Sequence, residues 1–365
     1  MTESKRDVQQ RRAVHGAHAP AHAPGYRTGF GRMRHGLAED VLMSEAKRLH
    51  GKVQLVFTSP PFALNRKKRY GNRNGEEYIE WLAAFGPKLA NLLTPDGSIV
   101  IEMGNAWVQG SPTMSTLSLK ALLAFQEQAG LHLCQEFICY NPARLPAPAQ
   151  WVTVERIRVK DAFTRVWWMS PTERPKADNR KVRTEYSASM KALLKRGTYN
   201  SGKRPSQYDI SPKSFLTDNG GAIVPNVIIP TPDPDQTDLL ETLPIANTRA
   251  DDSYQIYCRQ HNLEMHPARM PERLVQFFVE FLTDPGDLVL DPFAGSNTTG
   301  AVAEAMKRRW VAIEVNPVYI AGSRARFPKL PDESHLLSAT ASVVKRGIKT
   351  PQVTTKSLPE LSLKR

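Results

Sequence analysis

Residues 287–315 constrain the fold more than any other stretch of the chain. Asp287-Leu288-Val289-Leu290-Asp291 is a short apolar run ended by Pro292 and followed by Phe293-Ala294-Gly295-Ser296-Asn297-Thr298-Thr299-Gly300. Good helix formers occupy 299–309, and Trp310-Val311-Ala312-Ile313-Glu314-Val315 is β-rich again. Strand, glycine-containing turn, helix and strand make a βαβ unit. Such a unit commits its chain to a mostly parallel sheet with helices on its faces, so an α/β fold is expected. A second β-rich run, Val53-Gln54-Leu55-Val56-Phe57, stops at Thr58-Ser59-Pro60-Pro61-Phe62. The alternation continues with a helix predicted over 76–93, a strand at 97–102, a helix over 117–129, and strands at 131–140 and 163–169.

At 365 residues the chain allows about two domains, or one large domain with an insertion. Residues 1–30 are rich in Ala, Pro, His and Arg without apolar periodicity and are expected to form a disordered basic arm. The segment 329–365 reads as a polar basic tail. Three cysteines exclude a disulfide framework and fit a reducing compartment. No apolar run approaches the length of about 18 residues that a membrane span requires, and 1–12 lacks the apolar stretch of a secretion signal. A soluble cytoplasmic protein is expected.

The net charge of +13 is unevenly placed. Residues 151–213 hold 15 Lys/Arg against 6 Asp/Glu, interleaved with seven aromatics, whereas 214–252 hold seven acidic residues and only Arg249. Basic residues mixed with aromatics suit a polyanion with stackable bases. A solvated basic face is the alternative, and composition does not decide between them. The segment 174–215 lacks clear periodicity and reads as an insertion, with five prolines in 225–244 marking a linker. Trp167-Trp168 is expected to place one ring in the core and one in a groove.

Two turns carry the chemistry. In the first βαβ unit, Gly295 lets backbone approach a ligand, and the following helix offers free N–H groups. Glu314 lies 23 residues after Asp291, where an acidic side chain accepts ribose hydroxyls in nucleotide sites. The turn is neither G-x-G-x-x-G nor a P-loop. Its acidic mouth at Asp291 repels phosphates and suits a sulfonium, which points to S-adenosylmethionine. In the other turn, Ser59 supplies a hydroxyl, Pro60 a rigidly held carbonyl and Phe62 a flat ring, together a receptor for a planar heterocycle bearing an amine.

This combination resembles the DNA amino-methyltransferases, in particular the group with a Ser-Pro-Pro-(Tyr/Phe) motif that methylates cytosine N4. Thr58-Ser59-Pro60-Pro61-Phe62 looks like the catalytic motif and Asp291 to Gly300 like the cofactor motif, with the catalytic turn about 230 residues earlier. That order is similar to the circularly permuted β group. His266-Pro267-Ala268-Arg269-Met270-Pro271 resembles the segment that closes over the methionine end of the cofactor. The resemblance covers roughly 36–325 and implies a Rossmann-like methyltransferase fold, with the catalytic domain at 31–173 and 246–328 and target recognition at 174–245. It implies cofactor contacts from Asp291, Phe293, Ala294, Gly295, Thr298, Glu314 and His266, and an adenine contact from Glu39 or Asp40. DNA contacts are expected from Arg66-Lys67-Lys68-Arg69 and from Lys203 and Arg204. The implied activity uses S-adenosylmethionine and no metal, on a flipped cytosine in a short duplex target. The implied protein is a monomer of bacterial or phage origin, and the resemblance leaves room for a cognate endonuclease acting on the same site without a stable complex. An adenine-N6 enzyme and a silent DNA-binding scaffold are the alternatives.

Overall fold

The computed structural model describes residues 25–62, 75–141, 144–211, 213, 215–228 and 252–330. In chain order, β1 (Gly31–His35), α1 (Ala38–Leu49) and β2 (Val53–Thr58) lead to α2 (Glu76–Ala83) and α3 (Phe85–Ala90). Next come β3 (Leu93–Gly104), α4 (Leu117–Ala129), β4 (His132–Tyr140) and β5 (Phe163–Ser170). A peripheral stretch holds α5 (Ala188–Arg196), β6 (Gly202–Lys203), β7 (Asp209–Ile210) and β8 (Val227–Ile228). The chain then forms α6 (Ser253–Gln260), α7 (Glu272–Leu282), β9 (Leu288–Asp291), α8 (Thr298–Ala305), β10 (Arg309–Glu314) and α9 (Pro317–Ser323).

Eight strands form one sheet in the order β1-β10-β9-β2-β3-β5-β4-β8. The run from β1 to β3 is parallel, β5 lies antiparallel to β3 and β4, and β8 runs parallel to β4. Because side chains alternate along a strand, each strand feeds two cores. Leu55, Phe57, Val100, Trp168, Val289 and Trp310 point to one face, covered by α7 and α8. Val56, Ile99, Ile101, Trp167, Leu290 and Val311 point to the other, covered by α1 to α4. Both tryptophans are therefore core residues, one on each face, contrary to the expectation that one ring lines a groove.

The helix predicted over 76–93 is two helices. Pro87 has no N–H to continue the first, so the chain breaks at Ala84 and restarts with Pro87 in the first turn of α3. β3 takes the remainder and is longer than expected. The predicted disordered arm is folded from Gly25 onward: Tyr26 is buried, with its ring against Trp310 and Phe327.

The presumed insertion is stitched into the same body. Lys176 Nζ lies 2.8 Å from Asp284 and 2.7 Å from Asp287, and Lys181 Nζ lies 2.5 Å from Asp284. Those aspartates precede β9, so 174–183 is fastened at the amino end of the parallel strands. Further on, β8 pairs with the β4 edge of the main sheet. Between these anchors, no described residue from 184 to 220 is buried.

Candidate functional site

Parallel pairing brings the two turns to one edge. β2 lies beside β9, and Thr58 Oγ1 donates to Asp291 Oδ1 at 2.7 Å across 233 residues of sequence. The Asp291 carboxylate also accepts from Phe293 N at 3.1 Å and from Thr299 Oγ1 at 2.6 Å. Asp291 is buried, and burial raises its pKa while these three donors oppose the rise. It is not the open anionic mouth that sequence reasoning expected. It locks β2, the turn and α8 together.

Gly295 has φ +51, and a Cβ there would lie 2.8 Å from His266 Nε2. The imidazole thus closes over the turn, held edge-on to Tyr319, while its backbone N–H donates to the Tyr254 hydroxyl at 2.8 Å. Glu314 lies beneath. Its carboxylate accepts from Gly295 N and Asn316 N, each at 2.8 Å. Burial, helped by the charge of Asp291, pushes its pKa up to about 7. Ala294 and Thr298 are buried in the turn, and Asn297 takes φ +55 to cap α8 by accepting from Gly300 N. Phe293 is half-buried against Trp81 and Phe85, with ring centroids 5.6 and 5.2 Å away.

At the other turn, the Ser59 hydroxyl donates to Glu102 Oε2 at 2.7 Å. Glu102 ends the apolar run Ile99-Val100-Ile101 of β3, and register places Thr58 opposite Ile101. Burial raises the Glu102 pKa, opposed by hydrogen bonds from Ser59 and Thr164 and by the charge of Arg144. Pro60 is buried, and Pro61 and Phe62 are half-buried. The Phe62 ring lies over Gly104, where a Cβ would approach it to 3.0 Å. A larger residue there would push the ring back by a few tenths of an ångström.

Asp40 is turned outward on the first turn of α1. Its neighbour Glu39 accepts from Trp81 Nε1 at 2.8 Å and so faces the Phe293 side. Lys203 and Arg204 lie on the exposed β6–β7 hairpin, separate from the main sheet. Arg66, Lys67, Lys68 and Arg69 lie outside the described residues. Sequence reasoning missed Glu102, Trp81 and Tyr26. A carboxylate ending an apolar strand was the one available sign of Glu102. Tyr26 accepts from Asn297 Nδ2 at 2.9 Å and bonds Ser323 Oγ at 2.8 Å, bracing the cofactor-type turn from behind.

Among the described residues, no helix is long and apolar enough to cross a membrane, and no cluster of three or more His, Cys, Asp or Glu is placed to hold a metal.

Known proteins are similar to this chain in sequence and architecture. The type II methyltransferase M.PvuII of Proteus hauseri is 41% identical over 306 residues, covering 83% of this chain and 85% of that protein. M.BglII of Bacillus subtilis is 24% identical over 286 residues, covering 78% of this chain and 66% of that protein. The solved structure of PvuII DNA methyltransferase (cytosine-N4-specific) superposes with a TM-score of 0.65 at 34% identity, covering 88% of this chain and 95% of that one. The fold is that of the methyltransferases. The N6_N4_Mtase model, described as DNA methylase, matches residues 53–324, and the chain belongs to that family.

Proposed function

We propose that the chain transfers a methyl group from S-adenosylmethionine to the N4 amine of a cytosine flipped out of duplex DNA. The observation that carries this reading is the hydrogen bond from Ser59 to Glu102 beside the rigid Pro60-Pro61 turn. A cytosine amine is a weak nucleophile because its lone pair is delocalised into the ring. With its own proton committed to Glu102, Ser59 Oγ offers lone pairs to one amine N–H, and the Pro60 carbonyl takes the other. Held this way the nitrogen turns pyramidal, a gain from orientation and charge placement. On methylation the amine sheds one proton. Ser59 Oγ accepts it while passing its own to Glu102 Oε2, whose burial has already raised its proton affinity. Flipping the base costs a few kcal/mol, and stacking on Phe62 returns about 1–3 kcal/mol.

The Asp291–Thr298 turn suits S-adenosylmethionine, since the bare backbone at Gly295 leaves room that a Cβ would fill. When bound, the cofactor supplies an electrophilic sulfonium methyl. Glu314 keeps lone pairs for ribose hydroxyls, His266 covers the methionine end and Phe293 packs against the ligand. Asp291 acts through the shape of the turn. The order of the two turns is that of the permuted β group.

The 41% identity to M.PvuII supports cytosine N4 as target and a modification role in a restriction system. On this reading the enzyme is a monomeric cytoplasmic protein acting on a short duplex sequence, and any cognate endonuclease shares the site without a stable complex. The test is methylation of random-sequence DNA with labelled cofactor, followed by mass spectrometry of the nucleosides. N4-methylcytosine is expected. N6-methyladenine would overturn the base assignment, and no methylated nucleoside on any DNA would leave a silent DNA-binding scaffold.

A further inference from the structure

We propose that the connection between β4 and β5, residues 144–160, is a wedge that enters the duplex beside the flipped base. This rests on the reading of the chain as a DNA methyltransferase.

The loop leaves the sheet at the catalytic edge. Tyr140 pairs with Phe163 at its base, and Gly104, two residues after Glu102, pairs with Thr164. Arg144 donates to the Phe163 carbonyl at 3.1 Å, and its charge acts on Glu102. From that root the loop folds on itself. Ile157 N and Arg158 N both donate to the Trp151 carbonyl, at 2.9 and 3.2 Å, and Trp151 sets its ring edge-on to Trp107 at 6.4 Å.

Its outer surface carries large apolar side chains among polar and charged ones. Leu145 is 80% exposed, Val154 66%, Ile157 58% and Val159 87%. Arg156 and Lys160 are exposed among them, while Arg158 is half-buried and paired with Asp161 at 3.1 Å. Apolar tips among cations fit one partner above others, a polyanion with a hydrophobic interior. Side chains that wedge between base steps carry this chemistry, the cations meeting phosphates while the apolar groups replace a lost stacking neighbour. The wedge lies at the edge where a flipped cytosine would leave its hole.

The test is a Leu145→Ser/Val159→Ser double variant of the full chain, assayed on duplex DNA carrying the mapped target. A parallel substrate places an abasic site opposite the target cytosine, which removes the pairing that a wedge must compete with. The expected result is a loss of roughly tenfold or more in kcat/KM on the paired duplex, with activity within about threefold of wild type on the abasic substrate. Leu145→Met/Val159→Ile should keep activity on both. Equal losses on the two substrates, or no loss, would overturn the wedge while leaving the methyltransferase reading intact. A wild type that methylates neither substrate would sink the methyltransferase reading itself, and the wedge with it. In sedimentation, a wild-type dimer that the double serine variant dissolves would make this ridge an interface between copies and remove the DNA assignment.

Discussion

The turn after β9 and the turn after β2 leave the same edge of one sheet, yet they are finished differently. Around Asp291 the carboxylate is met from three sides by Thr58, Phe293 and Thr299, and Glu314 takes two backbone N–H groups. Among the described residues the Ser59 hydroxyl makes one hydrogen bond, to Glu102, and Ser59 is only half-buried. A turn that holds a ligand through its backbone gains from being fully satisfied, because its shape is then fixed before the ligand arrives. A turn that must exchange hydrogen bonds during a reaction needs unfilled capacity. On the proposed function, the difference separates a site that acts by shape from one that acts by chemistry.

Asp291→Ala tests the first half most severely. It strands two hydroxyls and an N–H in the core, and should lower the unfolding free energy by about 3–5 kcal/mol. Denaturant titration measures this, and a variant as stable as wild type would break the view of Asp291 as a lock. Ser59→Ala should do the reverse, leaving stability and cofactor affinity nearly unchanged while turnover falls by about 10²–10³, equivalent to roughly 3–4 kcal/mol. Single-turnover kinetics with calorimetry of cofactor binding separates the two effects. Gly295→Ala adds a Cβ at φ +51 against His266. A strain cost of order 1–3 kcal/mol should appear chiefly as weaker cofactor binding, with turnover at saturation retained.

The smallest effect is pH dependence. Glu314 has its pKa raised to about 7, so its favourable share of stability is complete below its ordinary value of 4.5 and is lost as pH rises through 7. Ribose hydroxyls need the ionised acceptor, so cofactor affinity should move oppositely. It should weaken as pH falls below 7 by at most about tenfold per unit, a one-proton limit. Affinity flat from pH 5.5 to 7.5 in calorimetry would remove Glu314 from the ribose contact.

Much of this was legible because both turns are punctuated by residues with few conformational options. Pro60-Pro61 and Pro292 end their strands, and Gly295 allows the positive φ that follows. Short β-rich runs stopped by these residues likewise revealed the strands. What stayed hidden depends on pairing between distant segments. Glu102 meets Ser59 only because β3 lies beside β2 in one register, which nothing in Ile99-Val100-Ile101-Glu102 announces. Lys176 and Lys181 read as part of a DNA-binding run. In the fold they sit against Asp284 and Asp287 about 100 residues away, and hydrogen bonds from the two lysines hold Asp284 down at about 2. A charge run in sequence does not say which of its members already have partners.

The strand order also bears on how the molecule is made. β1 and β2 emerge from the ribosome well before the strands that lie between them, β9 and β10. Until residues 288–314 appear, the edges of β1 and β2 that will face those strands have no native neighbour, and neither core can close on its final lining. Long-range parallel pairing of this kind is slow to form and leaves apolar edges open meanwhile. The nascent chain therefore cannot bind cofactor or complete its sheet before the last βαβ unit inserts into the centre, and a truncation short of it leaves a sticky, half-built sheet in place of a smaller stable domain.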